Sequence, residues 1–191
     1  MSSFRGNSRR ANSIPRARSV GGGIALALAS GATLAGGAHP FVFTAYRDAT
    51  GGADVVAGRY RAALAQLASP SGTIDPDPAA VSTNRCVAYS MSLQWRQAHA
   101  ACDAAIEAAA EARTALPAWL SWTESSSEKY LALAYANRAV MYWLSNDTAA
   151  AREDLARAQD LAPQADFVAR NVAALKVHGA LAVAAAAAPK G

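Results

Sequence analysis

The sequence predicts an all-α protein built from repeated helical hairpins, and three observations carry that prediction. Alanine dominates an apolar fraction of 52%, whereas aromatic residues make up only 7%. Alanine favours helices and lets them approach closely, while strands prefer the β-branched and aromatic side chains that are sparse here. Two segments align without a gap at an offset of 53 residues, Asn84-Arg85-Cys86-Val87-Ala88-Tyr89 against Asn137-Arg138-Ala139-Val140-Met141-Tyr142. Around both segments the small and apolar residues recur with the period of a helix. The 191 residues leave room for one such domain and its flanking segments.

Residues 1–38 have the parts of a secretory signal peptide. Arg5, Arg9, Arg10, Arg16 and Arg18 precede an apolar run from Val20 to Leu34, and Gly36, Gly37 and Ala38 stand before His39-Pro40. The run falls short of the ~20 apolar residues a spanning helix needs and is diluted by glycine, so no stable membrane span is expected after cleavage near Ala38. The expectation is an exported chain, periplasmic if bacterial. Charge agrees with that division. The whole chain carries +4 with a pI near 9.3, but without residues 1–38 it has 13 basic against 14 acidic side chains, a net −1 with His neutral. The basic footprint of a nucleic-acid binder then disappears.

Residues 39–54 are expected to form an extended N-terminal segment ahead of a repeat domain at 55–177. Gly51-Gly52 sits where a first helix would begin, so Gly58-Arg59-Tyr60 with Ala63 and Leu67 reads as the turn and second helix of a half unit. Two full units follow. Ser82, Cys86 and Tyr89 share a helix face, as do Tyr135, Ala139 and Tyr142; Ala98, Cys102 and Ala105, and Ala151, Leu155 and Ala158, form the facing pair. Ser145-Asn146-Asp147 is turn chemistry between the helices of the later unit. Ser125-Ser126-Ser127-Glu128 reads as a helix cap. Asp166 to Val177, with Phe167, Asn171 and Leu175, is the expected capping helix, and residues 178–191 an alanine-rich flexible tail.

Residues 132–165 resemble one complete tetratricopeptide repeat, through Tyr135, Ala139, Tyr142, Ala151, Leu155, Ala158 and the closing Pro163. Residues 79–112 match more loosely, keeping Cys86, Tyr89, Ala98 and Ala105 but having Ala110 where the closing proline belongs. The family period is ~34 residues, so the offset of 53 leaves about 19 additional residues between the units. The resemblance implies a short α-solenoid whose first helices line a concave groove that holds a protein or peptide. Its groove faces would carry Asn84, Val87 and Met91 in one unit and Asn137, Val140 and Trp143 in the next. Apolar surface there would supply affinity while the two amides pair with a ligand's main chain; equally, the amides could bond within the array. On the first of these readings, Asn137→Ala weakens binding and leaves the fold nearly intact.

Cys86 and Cys102, the only cysteines, lie on the inward faces of one hairpin, which in an oxidising compartment favours a disulfide over a pair of small buried thiols. The three histidines have no partner at ligand spacing, so no metal and no cofactor is expected. No nucleophile elbow, phosphate-binding loop or metalloprotease motif is present, which argues against an enzyme. Arg138 and Asp154 fall on opposing helices as a structural ion pair. Trp119 and Trp122, in the insertion between the units, are either a binding loop or a cover for the array's own core. The expected function is a protein- or peptide-binding adaptor or scaffold. The alternative is a self-associating structural envelope protein with no peptide ligand.

Overall fold

The computed structural model describes residues 40–69, 77–114 and 124–187. They form seven helices and no strand: α1 (Gly52–Val56), α2 (Tyr60–Ala68), α3 (Pro78–Met91), α4 (Trp95–Thr114), α5 (Glu124–Leu144), α6 (Thr148–Leu161) and α7 (Asp166–Ala187). The fold is therefore all-α, as the composition and periodicity predict. Residues 1–38, with their expected leader, and the Trp119 and Trp122 loop lie outside the described residues.

Local sequence sets the helix boundaries. Asp77 caps α3 by accepting from the Ala80 amide at 3.0 Å, with Pro78 in the first turn, where its missing N–H costs nothing. Asp147 caps α6 in the same way through Ala150, also at 3.0 Å, directly after Asn146 turns the chain at φ 69°. The insertion between the units is partly helical: α4 runs on to Thr114, and α5 starts at Glu124, so Ser125–Ser127 belong to its first turn instead of preceding it. At the C-terminus α7 continues to Ala187, past Val177 where the cap was expected to end. Alanine has the highest helix propensity available and fills most of residues 180–187, which carries the helix on past Gly179.

The helices pair as hairpins, α1 with α2, α3 with α4 and α5 with α6, and α7 covers the last one. Between hairpins α1 packs on α3, α3 on α5 and α5 on α7, so the first helices form a continuous inner layer. The second helices also pack on the first helix that follows, α2 on α3, α4 on α5 and α6 on α7. Alanine makes the close crossings inside the hairpins: Ala98, Ala105, Ala139, Ala151 and Ala158 are all at most 1% exposed.

Two cross-links reinforce these interiors. Cys86 on α3 and Cys102 on α4 form a disulfide with Cα atoms 4.6 Å apart, the bridge expected from their shared orientation. Arg138 on α5 grips Asp154 on α6 with two hydrogen bonds of 2.7 and 2.9 Å, and reaches Asp103 on α4 at 2.7 Å. The bond to Asp154, ahead of the others, pushes the Arg138 pKa further up and secures its charge. This expected ion pair thus also joins the two full hairpins.

Candidate functional site

The face of α3 and α5 assigned to a groove, with that of α7 beside it, is covered by the chain itself. Residues 41–46, Phe-Val-Phe-Thr-Ala-Tyr, run extended across the first helices from α7 through α5 to α3 before turning into α1. Their main chain is read by three asparagines. Asn171 of α7 accepts from the Val42 amide at 2.7 Å and donates to the Val42 carbonyl at 3.0 Å. Asn137 of α5 does the same for Thr44 at 2.9 and 2.8 Å, and Asn84 of α3 for Tyr46 at 2.8 and 2.9 Å. Asn84 also donates to the Thr50 carbonyl at 3.2 Å.

The geometry follows from the periodicity of an extended chain. Alternate residues present both N–H and C=O on one side, about 6.6 Å apart for two residues. A side-chain carboxamide carries the same donor and acceptor pair as a peptide unit. Each asparagine therefore takes the place that a residue of a neighbouring strand would occupy, and three of them on successive helices form a ladder with a two-residue step. All three are at most 1% exposed, so each needs the partners it has.

Between these rungs the side chains of residues 41, 43 and 45 pack into the array. Phe41 is 4% exposed; its ring centroid lies 4.4 Å from that of Trp143 on α5 and 6.1 Å from that of His178 on α7. Ala45 joins a core cluster with Val55, Ala63, Leu67 and Val87, against which Met91 packs, and Phe43 bridges three clusters. The Tyr46 ring lies tilted against that of Tyr130, centroids 5.4 Å apart. Burial, then the nearby Tyr130 and Asp77, pushes its hydroxyl pKa well above the ordinary value.

The glycine pair that left the first unit incomplete serves this path. A side chain at Gly52 would overlap the Tyr46 carbonyl, and Gly51 turns the chain at φ 73°. The first helix of this unit is only five residues long, entered through Gly51 and ended ahead of Gly58, both at φ 73°.

The six residues assigned to the groove do share one surface. Asn84, Val87, Asn137 and Val140 are buried, while Met91 and Trp143 are half-buried. The amides follow the second reading: they bond within the chain itself, to the main chain of Thr44 and Tyr46. The expectation that Asn137→Ala spares the fold is accordingly corrected: the Thr44 amide and carbonyl would lose their partners in a place 3% exposed. Sequence reasoning placed Asn171 in the capping helix but not in the groove. The spacing was there to find, since Asn171 follows Asn137 by 34 residues, the period of the repeat that residues 132–165 resemble.

Among the described residues no group of three His, Cys, Asp or Glu side chains is placed to hold a metal ion, and no helix is long and apolar enough to cross a membrane. The chain matches no protein-family model, no curated protein and no solved structure.

Proposed function

We propose that this chain is an exported adaptor that binds an extended segment of another polypeptide in the groove formed by α3, α5 and α7. The single observation that supports this reading is the asparagine ladder. Its hydrogen bonds all go to main-chain groups, so it recognises extended backbone while leaving the bound sequence constrained mainly by shape. The resemblance of residues 132–165 to a tetratricopeptide repeat points the same way. Export is supported by the arginine-rich, apolar, small-residue pattern of residues 1–38 and by the Cys86–Cys102 bridge, which suits an oxidising compartment.

The test is selection of peptides on the full chain from a random display library, followed by affinity measurement for each selected peptide and for copies with proline at successive positions. Proline at alternate positions, where the ladder needs an amide donor, should weaken binding at least tenfold, and proline between them should weaken it less. Absence of that alternation would place the interaction outside the groove and sink the reading. The self-associating structural alternative rests on one fact, that the groove is already filled by residues 41–46. Light scattering that finds a tight oligomer, with no peptide selected, would favour it.

A further inference from the structure

Resting on the groove reading, we propose that residues 41–46 are a displaceable internal ligand, and that the partner is a segment of a different polypeptide carrying an aromatic residue for the Phe41 pocket. The docked segment states the chemistry its replacement needs. It has an aromatic side chain in a three-ring cluster with Trp143 and His178, whose own centroids are 5.3 Å apart, a second aromatic two residues on, a small residue two beyond that, and amides at the residues following each of these that meet Asn171, Asn137 and Asn84. Proline at those positions would remove a donor, so the ladder excludes it.

The two ends of the segment are held unequally. At its C-terminal end Tyr46 pairs with Asn84, its ring lies tilted against that of Tyr130, its carbonyl approaches Gly52 closely, and the chain turns directly into α1. At the other end Pro40 is exposed, and Phe41, packed against Trp143, is the side chain that seals the groove. Displacement therefore starts at Phe41 and moves toward α3. A second copy of this chain is the weaker candidate for occupant. Its segment is tethered to its own α1 through residues 47–51, a reach of roughly 20 Å, and delivering it in trans means straightening that turn.

The tether raises the local concentration of the internal segment, so a free ligand meets a standing competitor. The probe is the labelled peptide HPFVFTAYRDAT, which copies residues 39–50 and so carries the docked segment. It should bind the full chain carrying Phe41→Ala at least tenfold more tightly than the wild type, because the pocket is intact and the competitor has lost its seal. The peptide carrying Phe41→Ala should bind that same chain at least tenfold more weakly, and the peptide carrying Thr44→Pro should not bind. On the wild type, excess peptide should speed hydrogen exchange at the Val42 and Thr44 amides, a readout that needs no variant to fold. Equal affinity for peptides with and without the aromatic residue would overturn the pocket assignment and leave the groove reading standing. Binding that ignores the state of Phe41 in the chain, or no acceleration of exchange, would overturn displacement. Failure of every peptide on the Phe41→Ala chain would overturn both readings. A concentration-dependent dimer dissolved by Phe41→Ala would put a second copy in the groove and overturn the choice of partner.

Discussion

The interiors of the hairpins and the groove across their first helices are held by opposite kinds of contact. Inside the hairpins the Cys86–Cys102 bridge and the Arg138–Asp154 pair each join residues 16 apart in sequence. In the groove the ladder joins residues 38, 93 and 129 apart. Close cross-links can form with each hairpin as it folds, whereas the ladder has no partner until three first helices stand side by side. The hairpins are thus the scaffold and the segment a late addition. Such a segment, held by polar rungs and by Phe41, Phe43 and Ala45 against the first helices, is expected to open before the scaffold does.

That division makes the scaffold the place of largest effect. Asp154→Ala should cost about 3 to 4 kcal/mol in urea unfolding, because Arg138, only 15% exposed at its side chain, loses its bidentate partner and keeps Asp103 alone. Removing the disulfide with Cys86→Ala and Cys102→Ala together should cost somewhat less, about 2 to 3 kcal/mol, with the gap between reduced and oxidised wild type of similar size. Should either variant lose amide protection in residues 42–46 while the hairpins stay protected, the order of the two regions is reversed.

The groove is where a mid-sized effect should appear. Asn137→Ala should cost about 2 kcal/mol, since two buried main-chain groups of Thr44 are left without partners. The loss is capped by the docking free energy of the segment, which can lift away to find water. Asn171→Ala should cost less, because Val42 is half-exposed and water can replace the side chain. Hydrogen exchange at Val42, Thr44 and Tyr46 separates local release from global unfolding, and a uniform loss of protection over α3 to α6 would mean that segment and scaffold are one unit.

The same contrast explains what could be read in the sequence. The hairpins were legible because their contacts repeat at helical spacing within short stretches: Ala98, Cys102 and Ala105 face Ser82, Cys86 and Tyr89, and the bridge follows. Asn84 and Asn137 were legible as equivalent amides on a shared face. The occupant was not. Phe41-Val42-Phe43-Thr44-Ala45-Tyr46 has no helical period, which correctly marks it as extended, but no local feature says that its backbone belongs 129 residues away on Asn171. Gly51-Gly52 was read as a defect in a first helix, when its role is to admit the Tyr46 carbonyl. Pairing across such distances depends on a surface that exists only after the array has formed.

The smallest expected effect lies at the join of the two regions, where Tyr46 leaves the groove for α1. Burial raises its hydroxyl pKa in the folded chain, while the unfolded chain keeps a value near 10. Below pH 10 both states are protonated and stability does not depend on this group. Above pH 10 the unfolded chain gives up the proton and the folded chain holds it, so the unfolded state binds fewer protons and stability falls as pH rises. One pH unit above 10 the loss from Tyr46 is at most about 1.4 kcal/mol. Burial also raises Tyr60 and Tyr142, so part of the alkaline slope remains when Tyr46 is replaced. Thermal unfolding at pH 9 and pH 11 should therefore show a smaller drop in Tm for Tyr46→Phe than for the wild type, with the two chains close at pH 9. Equal drops would mean that Tyr46 is already released to water above pH 10. In that case the segment detaches at its α3 end as readily as at Phe41, and the two ends are not held unequally.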